Sequence, residues 1–149
     1  MALLEKQLLV KDSGIPNSGK GLFTKVDIPK GTRIIEYKGR ITTWKEADID
    51  EGRNAYLFRV KSYHTIDARP TLKNLARYAN DAKGFQKIKG LRNNCVYVID
   101  GLQVFIESVR DIAAGEEIFV DYGKEYWDVM LKNKRIDEKA AKEAAKKRK

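Results

Sequence analysis

Few side chains in this sequence can do covalent chemistry unaided. Cys95 is its only cysteine and His64 its only histidine, so no disulfide framework or four-cysteine zinc site can form within the chain, and no metal is expected. His64 lies between Tyr63 and Thr65 in a strand-like run and reads as structural. Cys95 reads as a buried strand residue rather than a nucleophile, because no histidine stands near it. A sharper candidate is Gly14-Ile15-Pro16-Asn17-Ser18-Gly19-Lys20, which follows the strand-like Leu8-Leu9-Val10 and fits the opening of a phosphate-binding P-loop. The match fails at Gly21, where Ser or Thr would hold magnesium. It also fails at Leu22-Phe23-Thr24-Lys25-Val26, which is strand-like and runs toward Pro29 where a helix is needed. These glycines suit a tight turn between strands, where the missing side chains let the backbone approach a ligand closely.

The elements that must hold such residues are mostly strands. Lys20–Val26 and Arg33–Tyr37 are rich in β-branched and aromatic residues and are separated by the Pro29-Lys30-Gly31 turn. Cys95–Ile99 and Leu102–Ile106 flank Asp100-Gly101, a dipeptide suited to a tight hairpin turn. Glu116–Val120 reads as a further strand after Ala113-Ala114-Gly115. Helical signals are fewer: Thr43 is placed to cap a short helix through Asp50, and Thr71 to begin a turn toward Arg77. One long helix is expected from about Lys124, with Tyr126, Val129, Met130 and Asn133 on one face before the pattern dissolves into Lys and Ala.

The 149 residues suffice for one domain with its own core. The formal charge of +9 is uneven: residues 132–149 hold nine Lys/Arg against three Asp/Glu, a net +6. Such a tail reads as a solvated, fraying helix that allows weak, salt-sensitive contact with DNA. The opening apolar stretch is interrupted by Glu5 and Lys6, so no secretory leader is expected, and no run approaches membrane-spanning length. A reducing, cytoplasmic setting follows, or a nucleoid or nuclear one if the substrate is DNA-associated.

Four segments in fixed order resemble the SET-domain protein lysine methyltransferases over nearly the whole of residues 8–127. Gly19-Lys20-Gly21-Leu22-Phe23 is like the family's GxG turn, and Ile35-Glu36-Tyr37-Lys38-Gly39 like its E-Y-x-G strand. Arg77-Tyr78-Ala79-Asn80-Asp81, followed by Asn94-Cys95-Val96-Tyr97, is like its R-F-x-N-H…P-N-C segment. Gly115 through Gly123 is like its G-E-E-L-x-x-D-Y-G end. The resemblance implies a mostly β fold of small curved sheets over residues 1–123, with short helices and a C-terminal pseudoknot in which Asp121–Gly123 threads a loop near Asn80. Residues 124–149 would form the C-terminal helix and basic tail.

The resemblance further implies methyl transfer from S-adenosylmethionine to a lysine of a protein, expected to be basic and histone-like, and it leaves room for a homodimer. Such a transfer is an in-line displacement, so the catalyst must align donor and acceptor and exclude water. The lysine ammonium must first lose a proton, which desolvation and a nearby sulfonium both favour. By correspondence Tyr37, Tyr97 and Tyr122 would line the lysine channel, Tyr122 nearest the reacting methyl. Lys20, Gly21, Leu22, Tyr56, Asn80, Asp81, Tyr122 and Trp127 would hold the cofactor, Trp127 by stacking on the adenine. Two departures, Asp81 in place of the family's histidine and Asn93 in place of its proline, leave open a catalytically weak SET-fold binding module as the alternative, and the basic tail leaves open a DNA-associated protein. The cysteine clusters that often flank the domain are absent, and the helix from Lys124 is expected to close the channel instead. Val120 occupies a position where Tyr or Phe often sets the number of methyl groups; Tyr97 is expected to restrict the product to monomethyl-lysine.

Overall fold

The computed structural model describes residues 3–16, 18–47, 56–83 and 90–147, without the side chains of residues 124, 125, 129, 130 and 147. Among the described residues, nine strands form three small antiparallel sheets: β1 (Leu8–Asp12), β2 (Lys20–Thr24) and β9 (Glu117–Ile118); β3 (Arg33–Glu36), β8 (Gln103–Ser108) and β7 (Cys95–Asp100); β4 (Arg40–Thr42), β6 (His64–Asp67) and β5 (Leu57–Lys61). In each sheet the middle strand carries the most continuous buried run: Gly21–Thr24, Val104–Ile106 and Thr65–Asp67. A strand paired on both edges and covered on both faces needs such a run. A three-stranded sheet cannot bury a face alone. The three therefore share one core, in which Leu22, Ile34, Ile66, Ile106, Ile118 and Val120 are buried.

The strand expectations survive with shifted ends. Cys95–Asp100 and Gln103–Ser108 pair as a hairpin, but Asp100 faces Gln103, so the turn centres on Gly101-Leu102 rather than Asp100-Gly101. Gly101 takes the required left-handed φ of 65° there. The strand expected over Glu116–Val120 pairs with β2 only at Glu117 and Ile118, because the next residues are claimed by other partners. The Gly14–Lys20 loop joins two antiparallel strands, and Lys20 opens β2 rather than a helix. Thr43 caps α1 (Trp44–Ala47) by accepting from the Glu46 N–H at 3.3 Å; its expected continuation to Asp50 lies outside the described residues. Toward Arg77 the turn is a 3-10 helix, Leu75–Tyr78, capped by Asn74 rather than Thr71. The terminal helix, α2 (Lys124–Lys147), begins where expected and stays helical across the Lys/Ala stretch, which is exposed from Lys134 to Lys146.

After β9 the chain passes between two segments that belong to one loop. On one side the Val120 N–H donates to Asn80 O at 2.8 Å; on the other, the Asn94 and Cys95 N–H groups both donate to Phe119 O, at 3.0 and 2.9 Å. Parallel bridges Asn80↔Phe119 and Cys95↔Val120 record this two-sided pairing. The loop is fastened beyond the crossing, where the Ala82 N–H donates to Asn93 Oδ1 at 2.8 Å. This is the threaded arrangement that the resemblance implied.

The buried Asn94 side chain completes the clasp. Its Nδ2 donates to Glu117 O, and its Oδ1 accepts from the Phe119 N–H, both at 2.9 Å. An apolar replacement leaves a buried N–H and a buried C=O without partners. Asn94→Ala should therefore destabilise the fold by about 2–5 kcal/mol, measured by urea denaturation against wild type; a loss well under 1 kcal/mol would contradict this role.

Candidate active site

Beside the crossing lies a cavity of about 820 Å³. The loop Ile15–Lys20 forms one wall, with Asn17 outside the described residues, and Tyr78–Asp81 forms the floor. Tyr37, Tyr56, Phe58, Tyr97 and Tyr122 make an aromatic side, and Tyr126, Trp127 and Lys134 reach in from α2. Of the residues expected to bind or react, Lys20, Tyr37, Tyr56, Asn80, Asp81, Tyr97, Tyr122 and Trp127 all line this one space. Gly21 and Leu22 stand outside the lining. Leu22 is wholly buried in the core, and a side chain at Gly21 would collide with the Glu117 carboxylate. Val120 is likewise fully buried and is absent from the lining.

The cavity walls are tied to the fold by specific bonds. Glu117, buried in β9, accepts from Ser13 Oγ at 2.6 Å and from the Gly14 N–H at 2.8 Å, which holds the glycine loop down. Asn80 Nδ2 donates to Lys20 O at 3.0 Å, joining the start of β2 to the crossing. The Lys20 ammonium points away to Asp12, at 2.7 Å, so only its backbone serves the cavity. Gly39 has a separate role: a Cβ there would strike the Asp67 carbonyl and come within 2.8 Å of Ala68 N, so the glycine of the E-Y-x-G segment lets β4 approach the end of β6.

The aromatic side chains pack as a continuous cluster. Tyr37 meets Tyr97 edge to face at 5.8 Å, and Phe58 meets Tyr97 at 5.1 Å. Tyr97 lies nearly parallel to Tyr122, 19° apart, and Tyr122 nearly parallel to Trp127, 18° apart. Tyr126 stands edge-on to both Tyr122 and Trp127. Two hydroxyls are anchored: Tyr37 donates to Tyr56 O at 2.8 Å, and Tyr122 donates to Ala79 O. Among the described residues the Tyr97 hydroxyl has no hydrogen-bond partner.

Burial pushes the Tyr37, Tyr97 and Tyr122 phenols well above their ordinary range, and Tyr126 up to about 12. None of these is a base near neutrality; each is a neutral ring with a hydroxyl. Burial also raises the Cys95 thiol, to about 12, which fits its expected inertness. His64 opens β6 facing Lys61, apart from the cavity.

Sequence reasoning missed three contributors. Phe58 had no assigned role, and Tyr126 only a place on the helix face. Arg77 had a place in a motif but no assigned work. Its guanidinium lies over the Tyr56 ring at 4.2 Å and donates through Nη1 to Arg69 O at 3.2 Å. Its Nε is buried without a hydrogen-bond partner among the described residues, and the residue lines the cavity. The Nε is shut off from the cavity surface, so Arg77 meets the cavity through the rest of its side chain, stacked on Tyr56.

Fold, cavity and motif order together define a SET domain, and the family model described as "SET domain" matches residues 19–123: the chain belongs to that family. Among curated relatives it is similar to the histone-lysine N-methyltransferase EZH2 of Chaetomium thermophilum, 28% identical over 132 residues covering 81% of this chain and 8% of that protein. It is also similar to the histone-lysine N-methyltransferase EHMT1 of Mus musculus, 31% identical over 74% of this chain and 9% of the relative. Histone-lysine N-methyltransferase 2D of Homo sapiens is 32% identical over 74% of this chain and 2% of its own length. The chain thus spans less than a tenth of these relatives. Among solved structures, a humanized mutant of the Chaetomium thermophilum Polycomb Repressive Complex 2 bound to the inhibitor GSK126 superposes with a TM-score of 0.65 at 28% identity, over 82% of this chain and 15% of that one. Among the described residues no helix is long and apolar enough to cross a membrane.

The raised phenols carry a stability consequence. Unfolded tyrosines ionise from about pH 10, whereas the buried ones stay neutral above it, so this contribution is intact below that pH and is lost as the pH rises toward the folded values. Absorbance titration of the folded protein should show a group of tyrosines still neutral past pH 11, ionising together with alkaline unfolding; titration of all seven near pH 10 would contradict the buried cluster.

Proposed function

We propose that the chain is a protein lysine N-methyltransferase that uses S-adenosylmethionine and acts on a lysine of a basic protein. The observation that carries this reading is the unbroken aromatic wall from Tyr37 through Tyr97 and Tyr122 to Trp127, bordering a cavity that Arg77 also lines. The curated relatives, named as histone-lysine N-methyltransferases, support it.

The residues present fit the cofactor. The Arg77 guanidinium suits a carboxylate such as that of the cofactor's methionine end. The Gly19–Lys20 backbone leaves room for close approach, and the Trp127 ring suits a purine face. When bound, S-adenosylmethionine supplies an electrophilic methyl group on a positive sulfonium. The chain's own work is alignment and exclusion of water. An apolar tube of neutral tyrosine rings disfavours an ammonium, so the substrate lysine enters or becomes a free amine with a lone pair to offer. Tyr122, locked through its hydroxyl to Ala79 O, sets the position at which donor and acceptor meet.

Two substitutions test this. Tyr122→Phe frees the ring from its anchor and should lower methyl transfer at least about a hundredfold, since small misplacements of reacting groups cost that much. The measurement is incorporation of labelled methyl from S-adenosylmethionine into histones and other basic proteins. Equal labelling by wild type and variant removes the assignment, and no labelling by wild type favours a SET-fold binding module.

Tyr97 supplies the one hydroxyl of the channel tyrosines without a partner among the described residues, free to engage the amine and take up room beside it. Tyr97→Phe should shift the product from mono- toward dimethyl-lysine, read by mass spectrometry of the modified peptide. An unchanged product would remove this role.

A further inference from the structure

Asp81 and Asn93, the two departures from the family pattern, touch. Asp81 is buried and accepts four hydrogen bonds. Its Oδ1 takes the Lys83 N–H at 2.8 Å and Asn93 Nδ2 at 2.9 Å. Its Oδ2 takes the Tyr122 N–H at 2.9 Å and the Trp127 indole N–H at 2.8 Å. Asn93 Oδ1 in turn accepts from the Ala82 N–H. We infer that Asp81 and Asn93 form one positioning unit that docks Trp127, and with it the first turn of α2, over the cofactor end of the cavity. The identity of the ligand under Trp127 rests on the methyltransferase reading; the anchor itself does not.

The chemistry of the donors carries the argument. All four groups facing Asp81 are N–H donors, so the site needs two oxygens and no hydrogen of its own. An amide at position 81 offers one oxygen and must turn an NH₂ toward two of the donors. If its oxygen stays with Asn93, the NH₂ faces the Tyr122 and Trp127 N–H groups and both bonds are lost. A carboxylate at position 93 beside Asp81 fails differently, since two acceptors would meet where one N–H···O bond now stands. The residues are coupled: each suits the site only because of the other. Changing both reverses the polarity of their shared bond. A new amide at position 81 then donates to a new carboxylate at position 93 and turns its oxygen toward Tyr122 and Trp127. The carboxylate at 93 still accepts from Ala82, and only the Lys83 N–H loses its acceptor. This predicted rescue distinguishes a positioning unit from two independent structural residues.

The test uses the full chain and three measurements: affinity for S-adenosylhomocysteine by calorimetry, KM against kcat with S-adenosylmethionine, and hydrogen exchange of the Trp127 indole N–H by NMR. Asp81→Asn should weaken S-adenosylhomocysteine binding and raise KM roughly tenfold, the effect of losing a hydrogen bond to a charged acceptor, while kcat changes less and indole exchange accelerates. Asn93→Asp alone should do the same. The double variant Asp81→Asn/Asn93→Asp should return binding to within about threefold of wild type and restore slow exchange, as strongly coupled pairs do. Trp127→Phe, which removes the donor and leaves the acceptors in place, should match Asp81→Asn and add little to it. A double variant no better than Asp81→Asn, or indole exchange unaltered by Asp81→Asn, overturns the inference. So does a fall in kcat at unchanged KM, which would put Asp81 in the chemical step. If wild type binds no S-adenosylhomocysteine, the methyltransferase reading fails, while the exchange comparison still decides for or against the anchor.

Discussion

The backbone of Phe119 and Val120 is paired on both sides, with Asn80 on one edge and Asn94–Cys95 on the other, and every wall of the cavity is referred to that crossing. Tyr122 follows it by two residues, Asn80 and Asp81 form one bank, and Tyr97 leaves the other bank along β7. Even the glycine loop is held by Glu117, two residues upstream of Phe119. Buried backbone groups must find partners, and here those partners come from segments far apart in sequence. Threading one segment through a loop is rare in proteins. In this chain it gathers four separate stretches around one cavity with few residues spent on scaffold.

Under the proposed function the site would serve placement rather than acid–base work. Burial keeps the tyrosines neutral, so their rings form an aromatic wall, and the Tyr37 and Tyr122 hydroxyls donate hydrogen bonds. Of the Tyr37, Tyr97 and Tyr122 hydroxyls, the first and last are committed to backbone carbonyls, which fixes those ring positions. Such preorganisation suits a displacement in which the protein need only hold donor and acceptor in line.

Much of this was legible in the sequence, for local reasons. Alternating and β-branched runs bounded by glycine turns announced β2, β3 and the β7–β8 hairpin, and the order of four motifs announced the cavity residues. What escaped depends on contacts between distant positions. The turn at Gly101-Leu102 slid by one residue because register is set by the pairing of whole strands. Phe119 and Val120 read as strand, but they lie beyond the end of β9 and form isolated bridges to Asn80 and Cys95. Gly21 and Leu22 sit in the right motif, yet one abuts Glu117 and the other faces the core. Most telling is Asp81 with Asn93: twelve positions apart, each looked like an isolated loss until the geometry made them one bond.

Cys95 gives the crossing a chemical address. It sits fully buried on one bank, bridged to Val120, with its thiol held protonated by burial. A thiol in that state reacts with an alkylating reagent only when the surrounding structure opens. As the only cysteine, it makes the rate of alkylation of the unmodified chain a direct clock for how often the threaded segment withdraws.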